Sequence, residues 1–72
     1  MTPTRFRECL ALLAWSQRGL ARILQRQEGL VRMWGRGAAP IPPDVAAWLE
    51  ARAVHAAQYP PPIRPPGPDA GP

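Results

Sequence analysis

Proline is concentrated at the carboxyl end of this chain, and this limits how much of the chain can fold. Seven of the 13 residues from Pro60 onward are proline, and only Ile63 among them could add to a core. Proline disrupts a helix interior, and a segment with so little apolar surface has nothing to bury. We therefore predict a folded domain over residues 3–59 and a disordered, proline-rich tail over residues 60–72.

The small size of the predicted domain excludes several classes of protein. A 72-residue chain cannot hold two domains or a barrel enzyme. Its single cysteine, Cys9, cannot form an internal disulfide, and one cysteine with one histidine cannot build a zinc site without a partner chain. No apolar run approaches the ~20 residues that span a bilayer, so we expect no membrane partner. Without paired carboxylates or a Cys-His pair, we expect no enzyme, cofactor or metal.

The domain has the apolar spacing of α-helices and no strand pattern. The first stripe, at i, i+3, i+4 and i+7, consists of Phe6, Cys9, Leu10 and Leu13. It predicts a first helix with Thr2 as the N-cap and Pro3 in the first turn. Arginines ahead of an apolar stretch are also typical of a signal peptide, but Glu8 and the short apolar run favour the helix.

The same periodicity predicts three further helices. Ser16 is a good N-cap for the second, whose inner face contains Gln17, Leu20, Ala21 and Leu24. The third runs from about Glu28 to Trp34 and is ended by Gly35 and Gly37, with Leu30, Val31 and Trp34 on its inner side. The fourth starts near Pro43 and Asp44 and stops before Pro60, with a stripe of Val45, Trp48, Leu49, Ala53 and Ala56. We expect all three tryptophans, Trp15, Trp34 and Trp48, in the core.

Residues 4–52 resemble the Cro/lambda-repressor-like (XRE-type) helix-turn-helix family of DNA-binding proteins. The resemblance rests on Ser16-Gln17 opening helix two, Leu20-Ala21 in its middle, Val31 and Trp34 in helix three, and Gly37 after it. It implies an all-α fold, a small four-helix helix-turn-helix domain. It also implies that Ala21 lies where helices two and three cross, that Val31 anchors helix three and that Trp34 seals helix three against the core.

The turn between the second and third helices departs from the family pattern. Where the family has glycine, this chain has Gln25, followed by Arg26 and then by Gln27 as a weak N-cap. Either Gln25 adopts left-handed geometry, at a cost of about 1–2 kcal/mol, or helix two is one residue longer. Gly29 occupies an outward position where a base-reading side chain is expected.

The resemblance implies binding to double-stranded DNA, with helix three in the major groove and helix two on the phosphate backbone. Arg32 suits a bidentate contact to guanine, Gln27 could read adenine, and Glu28 could accept from a cytosine amino group. Met33 is either a thymine-methyl contact or simply an exposed side chain. Gln17, Arg18 and Arg36 would approach phosphate. The candidate DNA-binding residues are Gln17, Arg18, Arg22, Arg26, Gln27, Glu28, Arg32, Met33 and Arg36.

The position of the positive charge agrees with this interpretation. All nine basic residues are arginine, and the net charge is +4. The segment from Ser16 to Gly37 has five arginines and one acid, so its +4 equals the charge of the whole chain. A GC-rich genome could explain the choice of arginine but not its position. Two alternatives remain: the arginines are a solvated helix face, or Arg32 is engaged in a weak i, i+4 ion pair with Glu28.

Three classes of function compete. The first is a sequence-specific transcriptional regulator, a repressor or antitoxin-like protein of phage or mobile-element type, located in the cytoplasm at the nucleoid. The second is a protein-interaction module on a drifted helix-turn-helix fold, and the third is a cationic amphipathic membrane segment. For the regulator we expect duplex DNA as the partner, with a homodimer reading paired half-sites and, for an antitoxin, a partner protein.

Overall fold

The computed structural model describes residues 1–60 and residue 62, and these residues form four α-helices and no strand. The helices are α1 (Pro3–Leu13), α2 (Gln17–Leu24), α3 (Glu28–Gly35) and α4 (Pro43–Gln58). The predicted all-α, four-helix fold is therefore confirmed. The predicted tail over residues 60–72 lies outside the described residues, apart from Pro60 and Pro62.

The helices begin at the residues that the capping signals indicate. The Thr2 hydroxyl accepts a hydrogen bond from the Arg5 amide at 3.0 Å, and the Ser16 hydroxyl accepts one from the Gly19 amide at 2.9 Å. Each bond satisfies an amide that has no partner inside the helix. Pro43 occupies the first turn of α4, as predicted. Gln27 precedes α3 without any side-chain capping bond, which confirms it as a weak cap.

Two helices end on residues in left-handed geometry that are not glycine. Gln25 has φ 54° and ψ 45°, so the left-handed alternative is the correct one for the turn after α2. The Arg26 amide then donates to the Ala21 carbonyl at 2.9 Å. Ala14 closes α1 in the same way, with φ 58°. Both ends follow the Schellman pattern, in which the amide two residues past the helix bonds back to its last turn.

The end of α3 lies one residue later than the sequence predicts. Gly35 is the last helical residue instead of the first one beyond the helix. The helical hydrogen bonding continues through the Arg36 amide, which donates to the Arg32 carbonyl at 3.1 Å. Gly37, with φ 79°, is the residue that redirects the chain.

All four helices contribute to one apolar core. The buried side chains are Phe6, Cys9, Leu10, Leu20, Ala21, Val31, Trp34, Val45, Leu49 and Ala53. Phe6 packs edge-to-face on Trp34, with ring centroids 6.2 Å apart, and this contact joins α1 to α3. The burial implied for Ala21, Val31 and Trp34 is confirmed, and Ala21 gives α2 a small side chain on its core-facing side.

The other two tryptophans correct the sequence prediction. Trp48 is 36% exposed and Trp15 is half-buried, whereas both were expected in the core. The buried line of α4 is Val45, Leu49 and Ala53, and Trp48 lies one position away, at the edge of that face. Trp48 stacks on Trp15 with ring centroids 5.7 Å apart, and the Arg52 guanidinium lies 5.7 Å from the Trp15 ring centroid.

Charged groups also link the first and last helices. The Arg5 guanidinium donates two hydrogen bonds to the Glu50 carboxylate, from Nε at 3.0 Å and from Nη2. These bonds raise the pKa of Arg5 and lower the pKa of Glu50. Cys9 is fully buried nearby, and its burial raises the pKa of the thiol.

None of the helices within residues 1–60 combines the length and apolar character needed to cross a membrane.

Candidate nucleic-acid interface

The pair α2 and α3 presents one buried and one solvent-facing surface. Leu20 and Ala21 of α2 pack with Val31 and Trp34 of α3 in the core. The turn over residues 25–27 holds the two helices together, because the left-handed Gln25 reverses the chain between them. The outer faces of both helices are thereby left open to a ligand.

Most of the predicted site residues lie on that outer surface. The exposed ones are Arg18, Arg22, Arg26, Gln27, Arg32, Met33 and Arg36. Glu28 is partly covered, with 37% of its side chain exposed. Gln17 is half-buried, and its side-chain amide lies against Gly35 of α3.

Glu28 brings two of the predicted contact residues together. One of its carboxylate oxygens forms an ion pair with Arg32 Nη2 at 3.1 Å, the i, i+4 pair indicated by the sequence, and Arg18 Nε lies 3.9 Å from the other oxygen. We call these three residues the Glu28 cluster. The arginine side chains are 71% exposed at Arg18 and 64% exposed at Arg32, so both ion pairs are open to competition by another anion.

A second group of predicted residues lines a groove along α3. We call it the α3 groove, and it is lined by Gln25, Arg26, Gln27, Gly29, Leu30, Met33 and Arg36. Arg26 precedes α3 and Arg36 follows it, so guanidinium groups stand at both ends of the helix. Leu30 and Met33 supply apolar surface between them. Neither arginine takes part in an ion pair within residues 1–60.

The remaining two predicted residues belong to neither group. Arg22 is exposed in the last turn of α2. Gln17 packs its side-chain amide against Gly35, where a Cβ would collide with it. Arg7 of α1 donates to the Gly35 carbonyl, so α1 and α2 both hold the end of α3 in place. Gln17 thus has a packing role as well as a place at the start of α2.

Three residues of the α3 groove, Gln25, Gly29 and Leu30, were not among the predicted contacts. The sequence offers a signal for one of them, because Gly29, Met33 and Arg36 follow the spacing i, i+4, i+7 of one helix face. Gln25 carries no such signal, since its contribution depends on the left-handed turn.

Comparison of the chain with protein-family models, with curated proteins and with solved structures yields no match.

Proposed function

We propose that this chain binds double-stranded DNA sequence-specifically, with α3 in the major groove, and acts as a small transcriptional regulator of the repressor or antitoxin-like kind. The observation that carries the proposal is the distribution of charge. On α1 and α4, Arg5 is engaged by Glu50 and Glu8, and Arg52 lies over an indole ring. The net excess of positive charge falls on the α2–α3 surface, where a polyanion would meet it.

The amphipathic character of α3 supports the same proposal. Val31 and Trp34 are buried on its inner side, while Arg32 and Met33 are exposed on its outer side. A helix fixed to a domain in this way can enter the major groove, which is wide enough to admit it. Arg32 then reads guanine, while Arg18, Arg26 and Arg36 approach phosphate oxygens.

Partners and location belong to the same proposal. A single module of this size contacts few base pairs, so a homodimer reading two half-sites about 34–36 Å apart would increase specificity. The protein would then act at the nucleoid, in the cytoplasm, without catalysis of its own.

The proposal is tested by selecting bound duplexes from a random pool and titrating the selected duplex at several salt concentrations. We expect the logarithm of the binding constant to fall with the logarithm of salt concentration, with a slope of about −0.9 per phosphate contacted. Arg32→Ala should relax the preference at one base pair, whereas Arg18→Ala should weaken all sequences alike. Negligible affinity for every duplex at low salt would overturn the proposal.

The second candidate is a protein-interaction module on the same fold, and exposed apolar side chains favour it. Leu12 of α1 and Ile23 of α2 are each 48% exposed, so both side chains are available to a protein partner. This candidate predicts that the random pool yields no enriched sequence. It also predicts that Ile23→Ser abolishes capture of a partner protein without altering the fold.

A further inference from the structure

The described part of the chain contains four glycines, and at three of them a side chain would meet another group of the domain or an unfavourable backbone conformation. A Cβ on Gly35 would collide with the Gln17 side chain, and a Cβ on Gly19 would lie 3.2 Å from the Ser16 hydroxyl oxygen. Gly37 has φ +79°, which side chains rarely adopt. Backbone geometry therefore requires glycine at position 37, whereas a side chain at Gly19 or Gly35 would have to displace the Ser16 or Gln17 side chain.

Gly29 has no comparable reason inside the domain. It lies in the first turn of α3, and a Cβ built on it would have no atom of another part of the protein within 4 Å. Glycine makes a helix less stable than alanine does, because it loses more backbone freedom on folding. Alanine would therefore fit at this position and would make α3 more stable.

The surroundings of Gly29 indicate what its missing side chain leaves room for. Gly29 lies in the α3 groove, next to the apolar side chains of Leu30 and Met33. Arg26 and Arg36 line the same groove and carry positive charge. A ligand that fits has a small apolar group presented close to the helix backbone and negative charges on either side. The major-groove edge of a thymine, with its 5-methyl group and flanking phosphates, has both.

We propose that Gly29 is the point of closest approach between α3 and DNA, and that the α3 groove binds the 5-methyl group of a thymine. This inference rests on the proposed function, since it names the base that the same surface reads. Glycine is required because a Cβ at this position would hold the helix away from the base edge. Met33 and Leu30 form the apolar surface that the methyl group contacts.

The experiment uses the full chain and the duplex selected from the random pool, with each thymine replaced in turn by deoxyuridine. We expect Gly29→Ala to raise the melting temperature by about 4 °C and to weaken binding about tenfold. One deoxyuridine replacement should weaken the wild type about fourfold, as expected for one lost methyl contact. The same replacement should leave Gly29→Ala unchanged. Thr4→Ala, on an exposed site of α1, is the matched control and should bind like the wild type.

Each of the remaining outcomes overturns the inference, and each shows which claim has failed. If Gly29→Ala binds as tightly as the wild type, or if no deoxyuridine replacement has an effect, the thymine contact is wrong while DNA binding stands. If Gly29→Ala melts at a lower temperature, the domain itself needs the glycine and the inference fails. If the wild type binds no duplex at low salt, the proposed function fails and this inference fails with it.

Discussion

At the scale of single residues, Glu28 is the one acid between Ser16 and Gly37, and it lies between two arginines. Its ion pairs, at 3.1 Å to Arg32 and 3.9 Å to Arg18, are exposed and contribute about 0–1 kcal/mol to stability. Under the proposed function their larger effect would be on DNA binding, because a carboxylate at this position would compete with phosphate for both guanidinium groups. In the proposed complex, Glu28 would therefore weaken binding to duplexes that lack the guanine read by Arg32.

Glu28→Gln removes that competition while keeping the size of the side chain. We expect binding to a duplex of random sequence to become roughly three- to tenfold tighter at low salt, with a steeper salt dependence. The preference for the selected duplex should fall, because Arg18 and Arg32 become available to any phosphate. Titrations of both duplexes by fluorescence anisotropy measure the two effects together.

The matched control is Glu8→Gln on α1, which changes the net charge equally and removes the ion pair of Glu8 with Arg5. If the two variants gain the same affinity for random duplex, the effect is one of net charge and the role assigned to Glu28 is wrong. The free energy of unfolding should change by no more than about 1 kcal/mol in Glu28→Gln, since the pairs are exposed.

At the scale of elements, the turn from α2 to α3 contains a residue in an unfavourable conformation. Gln25 is left-handed at φ 54°, a region that costs a residue with a Cβ about 1–2 kcal/mol. Gln25→Gly removes this cost but also increases the freedom of the unfolded chain. We expect a net gain of about 0.5–1 kcal/mol in the free energy of unfolding, measured by urea denaturation.

Gln25→Ala separates the effect of the left-handed backbone on the free energy of unfolding from the effect of losing the glutamine side chain. It removes the same side-chain atoms from the α3 groove but keeps the Cβ, so it should not become more stable. A gain of equal size in both variants would show that the glutamine side chain, and not the left-handed backbone, is responsible.

At the scale of the whole molecule, the pairing of Arg5 with Glu50 ties α1 to α4, 45 positions apart in the chain. Because these bonds lower the pKa of Glu50 from its usual 4.5, the folded state holds the ionised form more strongly than the unfolded state does. The resulting contribution to stability is complete above pH 4.5. It is lost as the pH falls through the lowered pKa of the folded state.

Glu50→Gln should therefore be less stable than the wild type near pH 7, and the difference should shrink as the solution is acidified below pH 4.5. Urea midpoints between pH 7 and pH 2.5 measure this convergence. In the background of Arg5→Ala, Glu50→Gln should have little effect at any pH. A difference between wild type and Glu50→Gln that stays constant across this range would contradict the assignment.

The sequence by itself determined the helices and most of the core. Apolar spacing, the capping hydroxyls of Thr2 and Ser16, and the proline at position 43 are local signals, and each element formed where its signal indicated. The burial of Val31 and Trp34 followed from the same spacing. The concentration of positive charge between Ser16 and Gly37 is also a property of the sequence alone, because arginines and acids can be counted along the chain.

Only the tertiary structure decided which of these side chains meet. Ala14 and Gln25 are left-handed although neither is glycine, so no glycine in the sequence marks these two helix ends. Their conformation persists because the surrounding structure holds it in place. The stacking of Trp15 on Trp48, the pairing of Arg18 with Glu28 and the α3 groove all join residues from different elements. Periodicity describes one helix at a time, whereas such contacts depend on how two helices lie against each other. The open space around Gly29, on which the proposed thymine contact rests, likewise depends on how the neighbouring elements are placed.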